Sequence, residues 1–465
     1  MRTIITFFFI LLFFTGNIQC QQKGKLSISS DGHTFEYADG TPFFWLGDTA
    51  WELFHGLNKE ETDYYLETRK SQGYNVIQAV ILSELNGLTE SNRFGELPLT
   101  DKDPNKPNEA FFENIDYVIK KAASLDMYIA LLPTWGRYWS EDPIFTSKNA
   151  YTYGKYLGER YKNQWNIIWV LGGDRIPKTN EQYKIINQMA LGLEDGDKKK
   201  HLKTFHPSGN NTSLSFFQNK SWIDFHMAQS GHAHRDEPNY LYTLNNNIAK
   251  PTKPFIDGEP RYEDLPVKFW EIKLENGYQE NAYPIADSLT PHGYFNAYDV
   301  RRAAYWSVFS GAAGATYGNG SVWCFWQEGR YAPIAVKHSW QRSMESPGGK
   351  QMIFLKKLIE AYGINNLTPN RSFIADNWSN ATNYQAVIST KDNKSVLIYI
   401  PEGNPIKISK VKIAKGNIFY RWYNPRNGQF SKKQLIKETT DLILNFKPPS
   451  QGNGNDWILV IDSKQ

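Results

Sequence analysis

Along this chain the spacing of apolar positions alternates between two periods and then settles on one. Between residues 43 and 317, short apolar runs alternate with stretches whose apolar positions recur every three or four residues. A short continuous run bounded by turn residues reads as a strand buried on both faces; the longer period reads as a helix packed by one stripe. Runs of the first kind fall at residues 43–48, 74–82, 127–132, 166–171, 202–205, 222–227, 254–256 and 312–317. Between them the pattern predicts helices over 58–72, 109–125, 147–163, 181–193, 239–247 and 300–309, with another at 351–362. The second of these puts Phe112, Ile115, Ile119 and Ala122 on one stripe. The first opens on Asn58 with Glu61 three residues on, the signature of a capping box. Eight strands alternating with helices over this length predict an α/β chain built on a (β/α)8 TIM barrel.

Both flanks differ from this middle. Leu26, Ile28, Phe35 and Tyr37, set around Asp31-Gly32 and Asp39-Gly40, read as hairpin strands that cap the bottom of the barrel. Beyond Thr368-Pro369-Asn370 the helical period disappears. Short strand-like runs at 384–388, 395–400, 419–423, 442–444 and 457–461 are separated by turn segments at 424–428 and 452–455. That is the pattern of a small antiparallel β-sandwich. The expected organisation is a leader over 1–20, a barrel over 21–365 with its N-terminal hairpin, and a sandwich over 370–465.

The leader is read from Arg2, an apolar run over 4–14 and a polar stretch ending at Cys20. This is a secretory n-region, h-region and cleavage zone, too short for a membrane span. Cleavage after Cys20 is expected, with a lipid anchor on Cys20 as the alternative. The chain is thus expected to be secreted or periplasmic, without membrane insertion, and with Cys324 as its one ordinary thiol. A net charge of +4 with both signs interspersed gives no support to nucleic-acid binding. Aromatics reach 15%, and beyond what a core needs they suit stacking on the C–H faces of sugars. Oligomeric state is not legible.

Candidate chemistry sits where apolar runs stop. Residues 166–174 end in Gly172-Gly173-Asp174, and residues 254–260 deliver Asp257 and Glu259 where Gly258 and Pro260 stop the strand. Acids at the C-terminal ends of barrel strands lie on the face where such folds keep their chemistry. A pair of carboxylates facing one sugar is the requirement of glycoside hydrolysis, with one protonated and one ionised. Asp174 and Glu259 are therefore the candidate catalytic pair, and Arg175 and Arg261 could keep them ionised or simply hold loops. Asp48, Trp51 and Asp257 are candidate substrate contacts. Trp135 is a candidate stacking platform backed by Tyr138 and Trp139, and His206, His226 and Gln229 could reach sugar hydroxyls. Each could equally be a satisfied structural group. His232 and His234, with Asp236, invite a metal reading, but two histidines two apart on a loop are a weak signal without a third ligand at recognisable spacing, so neither metal nor cofactor is expected. No Gly-x-Ser-x-Gly elbow occurs, and Cys324 has no activating partner in sequence.

Residues 44–51 (Phe-Trp-Leu-Gly-Asp-Thr-Ala-Trp), 169–174, 255–260, 302–307 and 311–318 together resemble the apiosidase-like glycoside hydrolases of family 140. The tail resembles the collagen-binding-type β-sandwich that accompanies them. The resemblance implies a TIM barrel plus sandwich and release of terminal apiose from side chains of the pectin rhamnogalacturonan-II. It matches Asp174 to the acid/base and Glu259 to the nucleophile. The fourth strand ends in Asp after Gly-Gly, whereas many related retaining barrels carry Asn-Glu there. Two rival expectations are a glycosidase for another plant-polysaccharide sugar such as arabinofuranose, and a non-catalytic carbohydrate-binding protein.

Overall fold

The computed structural model describes residues 24–272, 290–330, 332–375, 381–437 and 440–464. The expected leader and Cys20 lie outside these. Eight parallel strands form the centre: β1 (Trp45–Thr49), β2 (Val76–Val80), β3 (Tyr128–Leu132), β4 (Ile167–Gly172), β5 (Lys203–His206), β6 (His226–Gln229), β7 (Phe255–Asp257) and β8 (Gly314–Tyr317). Six of them pair in the order β8-β1-β2-β3-β4-β5, and β6 pairs with β7. A backbone hydrogen bond at each of the two seams closes the ring. The Asp224 N–H donates to the Lys203 carbonyl at 2.8 Å, and the Ala313 N–H donates to the Phe255 carbonyl at 2.9 Å. Every position of all eight strands is buried, which is why they read as continuous apolar runs and not as alternations.

Helices α1 (Lys59–Ser71), α2 (Glu109–Ser124), α3 (Ser147–Tyr161), α4 (Asn180–Asp197), α5 (Tyr240–Ile248) and α6 (Ala297–Phe309) surround the ring, and α7 (Pro347–Tyr362) follows it. The capping box forms as its spacing predicts: Asn58 Oδ1 accepts the Glu61 N–H, and Glu61 Oε2 accepts the Asn58 N–H. No helix among the described residues is long and apolar enough to cross a membrane. The three-stranded N-terminal sheet closes the bottom. Phe35 meets Phe225 edge-on at 5.1 Å, and Phe43 meets Tyr128 at 5.4 Å.

Two expected strands move, each for a packing reason. The sixth was expected at 222–227, but Trp222 and Phe225 are not ladder residues. Trp222 reaches out to Asn187 on α4, and Phe225 plugs the bottom beneath Trp45. The ladder instead runs through His226, Met227, Ala228 and Gln229. The first strand starts at Trp45 because Phe43 pairs with Phe35 in the N-terminal sheet.

Strand parity decides the place of Asp48. Successive side chains on β1 point to opposite faces. Asp48 faces the helix layer, where its Oδ2 accepts Arg69 Nε at 2.6 Å and the Tyr65 hydroxyl at 2.5 Å, all from α1. The pair is fully buried, and the Arg69 guanidinium is flanked by the rings of Tyr74 and Tyr317 at 5.0 and 5.4 Å. The expectation that Asp48 contacts substrate is therefore corrected: it is a structural counter-ion. Burial raises its pKa, while the Arg69 charge and the Tyr65 hydroxyl act to lower it.

The C-terminal domain is antiparallel and β-rich. Its larger sheet contains Leu367–Pro369, Ala386–Thr390, Ser395–Ile400, Trp457–Lys464 and Asn417–Asn424, and a smaller one pairs Ile406–Ser409 with Ile443–Phe446. Alternate residues serve two cores. Val396, Ile398, Leu459 and Ile461 pack with Ile406, Ile408, Leu444 and Phe446 inside the domain. Their neighbours Leu397, Tyr399, Ile458 and Val460 belong to the barrel's core. Tyr399 stacks on Tyr305 of α6 at 4.9 Å, and Arg301 of α6 makes a bidentate pair with Asp456 at 2.6 and 2.8 Å. Breaking a buried ion pair from one side strands the other charge. Arg69→Met is accordingly expected to lower unfolding free energy by about 3–5 kcal/mol, measured as a fall in denaturant midpoint at unchanged m-value.

Candidate active site

The C-terminal strand ends converge on one cavity of about 230 Å3. Trp51 comes from beyond β1, Glu84 from beyond β2, Trp135 from beyond β3, Asp174 from beyond β4, Gln229 from the end of β6 and Glu259 from beyond β7. The cavity thus draws on the face that carries chemistry in barrels of this kind.

Asp174 is aimed by its backbone. Gly172, Gly173 and Asp174 take φ of 97°, 95° and 55°, three consecutive left-handed residues that swing the chain off β4. A Cβ on Gly172 would stand 2.3 Å from the His206 carbonyl oxygen, and one on Gly173 would stand 2.8 Å from the Gly136 nitrogen. Only glycine fits either place, so Gly-Gly ahead of the acid is a steric requirement. The Asp174 Oδ2 accepts Arg175 Nη1 at 2.8 Å, and Arg175 also pairs with Glu141 at 2.8 Å.

Glu259 is held by two imidazoles. Nε2 of His206 stands 3.0 Å from its Oε2, and Nε2 of His232 stands 3.0 Å from its Oε1. His206 has a second duty. Its Nδ1 accepts the Asp174 backbone N–H at 3.3 Å, which leaves the ring proton on Nε2, facing the carboxylate. One imidazole therefore ties the backbone of one acid to the side chain of the other. Tyr262 packs 4.5 Å from the His232 ring. Trp51 meets Trp135 at 5.3 Å and the His206 ring at 5.3 Å, making an aromatic wall.

The two carboxyls are electrostatically unlike. Burial and the charge of Glu259 raise Asp174 to about 6, against Arg175 and His206. Burial alone would also raise Glu259, but hydrogen bonds and electrostatic attraction from His206 and His232 bring it down to about 2. Between these values one is an acid and the other an anion, the division that acid/base work needs.

A third carboxyl in the cavity was missed from sequence. Glu84 is raised well above the usual range by burial, then by the charges of Asp174, Glu52 and Glu259. Its signal was present, since it follows the apolar run 74–82 much as Asp174 follows its own. His232 was weighed as a metal ligand, but it serves Glu259 instead; among the described residues no cluster of three His, Cys, Asp or Glu could hold a metal. Of the expected contacts, Trp51, Trp135 and Gln229 line the cavity and His206 stands behind it. Two more expectations are corrected. His226 is buried against the Ser213 hydroxyl at 3.0 Å, and burial takes its pKa down to about 3. Asp257 is buried too, and accepts the Ser230 hydroxyl at 2.8 Å and Asn239 Nδ2 at 3.0 Å. Tyr138 and Trp139 donate to the carbonyls of Ser83 and Gly172 at 2.8 and 3.0 Å, so they buttress loops. Arg261 is turned toward the Glu237 carbonyl.

Comparison with known proteins follows this geometry. Residues 29–366 match the family described as "Apiosidase-like, catalytic domain", and residues 368–462 match "Putative collagen-binding domain of a collagenase". No curated protein matches. A solved structure titled glycoside hydrolase is similar at 33% identity, over 95% of this chain and 97% of that one, with a TM-score of 0.82. A glycoside hydrolase family 5 structure from Bacteroides vulgatus is similar at 33% identity, over 95% and 93%, with a TM-score of 0.81. With the family match spanning most of the chain and two carboxyls of unlike charge in one cavity, this protein belongs to the apiosidase-like family and is a glycoside hydrolase.

Proposed function

We propose that this glycoside hydrolase is a secreted, exo-acting, retaining enzyme of family 140 that releases terminal apiose from rhamnogalacturonan-II side chains of pectin. The observation that carries the reading is the pairing of Asp174, near 6, with Glu259, near 2, in one cavity about the size of a single sugar ring. The small volume, walled by Leu265, Phe269, Trp323 and Ile334, favours a chain end over a chain interior.

Glu259 attacks the anomeric carbon as Asp174 protonates the glycosidic oxygen, and the leaving chain departs as an alcohol. Asp174, now ionised, takes a proton from water. That water attacks the anomeric carbon of the glycosyl-enzyme, and Glu259 leaves as carboxylate. His206 and His232 keep Glu259 ionised, the state that nucleophilic attack requires. Glu84, whose pKa is raised first by burial and then by neighbouring carboxylates, donates a hydrogen bond to a sugar hydroxyl.

Asp174→Asn is expected to lower kcat/KM on pectic oligosaccharides by about 10²–10⁴-fold, and Glu259→Gln by more, since no covalent intermediate can form. A folded variant with near-native turnover removes that residue from the mechanism. With azide, Glu259→Ala should yield a glycosyl azide of inverted configuration and Asp174→Ala a retained one, distinguished by NMR. Because the active form needs protonated Asp174 and ionised Glu259, kcat/KM should fall as pH rises through about 6 and hold down to about 2. Asp174→Asn should erase the alkaline limb. Glu84→Gln, which keeps a neutral donor, should preserve most activity, whereas Glu84→Ala should raise KM. Chromatography of the released monosaccharide tests the sugar: arabinose in place of apiose rejects the substrate assignment while leaving the mechanism intact.

A further inference from the structure

A second cavity, of about 330 Å3, opens beside the first and shares Asp174, Gln229, His232 and Phe269 with it. Past those shared residues it extends to Asn210 and Trp270. Trp270 is 55% exposed, with its indole set edge-on to Phe269 at 5.2 Å. Gln229 lines both cavities, is 5% exposed, and its Oε1 has no hydrogen-bond partner among the described residues. A buried amide oxygen without a partner costs stability unless something binds there, and the exposed indole beside it offers a flat apolar face to the same space.

The chemistry says what that is. A general acid must lie within hydrogen-bond reach of the glycosidic oxygen, the atom joining the terminal sugar to the rest of the chain. With the terminal ring on the Glu259 side of Asp174, the leaving sugar lies on the side away from it. The second cavity borders the same carboxyl. We propose that this shelf is the aglycone subsite, holding the pyranose that bears the terminal sugar, with its apolar C–H face on Trp270 and a hydroxyl donating to Gln229 Oε1. The assignment rests on the glycosidase reading and goes beyond it by placing the leaving sugar.

The test separates the two. Apiosyl fluoride has a leaving group without a ring, whereas an apiose-bearing pectic oligosaccharide fills the shelf. Trp270→Ala is expected to lower kcat/KM on the oligosaccharide by about tenfold, to leave fluoride release unchanged, and to be rescued in large part by Trp270→Phe. Calorimetric titration with the same oligosaccharide stripped of its apiose should show binding to wild type that Trp270→Ala loses. Equal losses on both substrates, no loss on the oligosaccharide, or stripped-oligosaccharide binding that is absent from wild type or survives in Trp270→Ala would each overturn the subsite. Wild-type protein that turns over neither substrate would overturn the apiosidase reading, and the subsite with it.

Discussion

Much of this site rests on one imidazole. His206 accepts the backbone N–H of Asp174 through Nδ1 and turns its Nε2 to Glu259, so the position of one acid and the charge of the other are set together. The ring packs against Trp51 and Trp135, so the aromatic wall that shapes the cavity also positions the electrostatics.

The surrounding barrel supports this arrangement with buried side chains that hydrogen-bond to the turns and strand ends behind it. Gln78 reaches across from β2 to the Gly258 carbonyl at 2.7 Å, bracing the turn that presents Glu259. Asp257 performs a related task one layer out, gathering Ser230 and Asn239 so that the ends of β6 and β7 stay in register. Loops alone would hold such groups less precisely than strand ends locked into a ring. The C-terminal domain adds a further clamp. Its sheet lays Tyr399 on Tyr305 of α6, the helix that connects β7 to β8, and Asp456 pins Arg301 of the same helix. A packing role of this kind accounts for the apolar face that the domain turns toward the barrel.

Much of the architecture was legible in the residues. Continuous apolar runs marked strands buried on both faces, Asn58 and Glu61 marked a helix start, and the loss of helical period after residue 368 marked the second domain. The acids at two strand ends were legible for the same reason, because a carboxylate closing an apolar run has few places to go other than a strand's mouth. Glu84 carried the same signal and was passed over. The misplaced β6 has a different cause: Trp222 and Phe225 are apolar for reasons of packing below and outside the ring, which periodicity cannot distinguish from ladder positions.

What the chain determined by itself was therefore local: periods, caps, and the residue types that end each strand. Which way those residues point was decided by closure of the ring. Asp48 and Asp174 both sit at the ends of apolar runs, yet one faces a helix and an arginine while the other faces a cavity. That outcome depends on strand parity relative to a barrel axis that exists only once β8 meets β1, and on left-handed turns that carry Asp174 past the strand's end. The unlike charges of Asp174 and Glu259 are likewise tertiary, because burial and the distance to each imidazole are properties of the assembled site and of no single stretch of sequence.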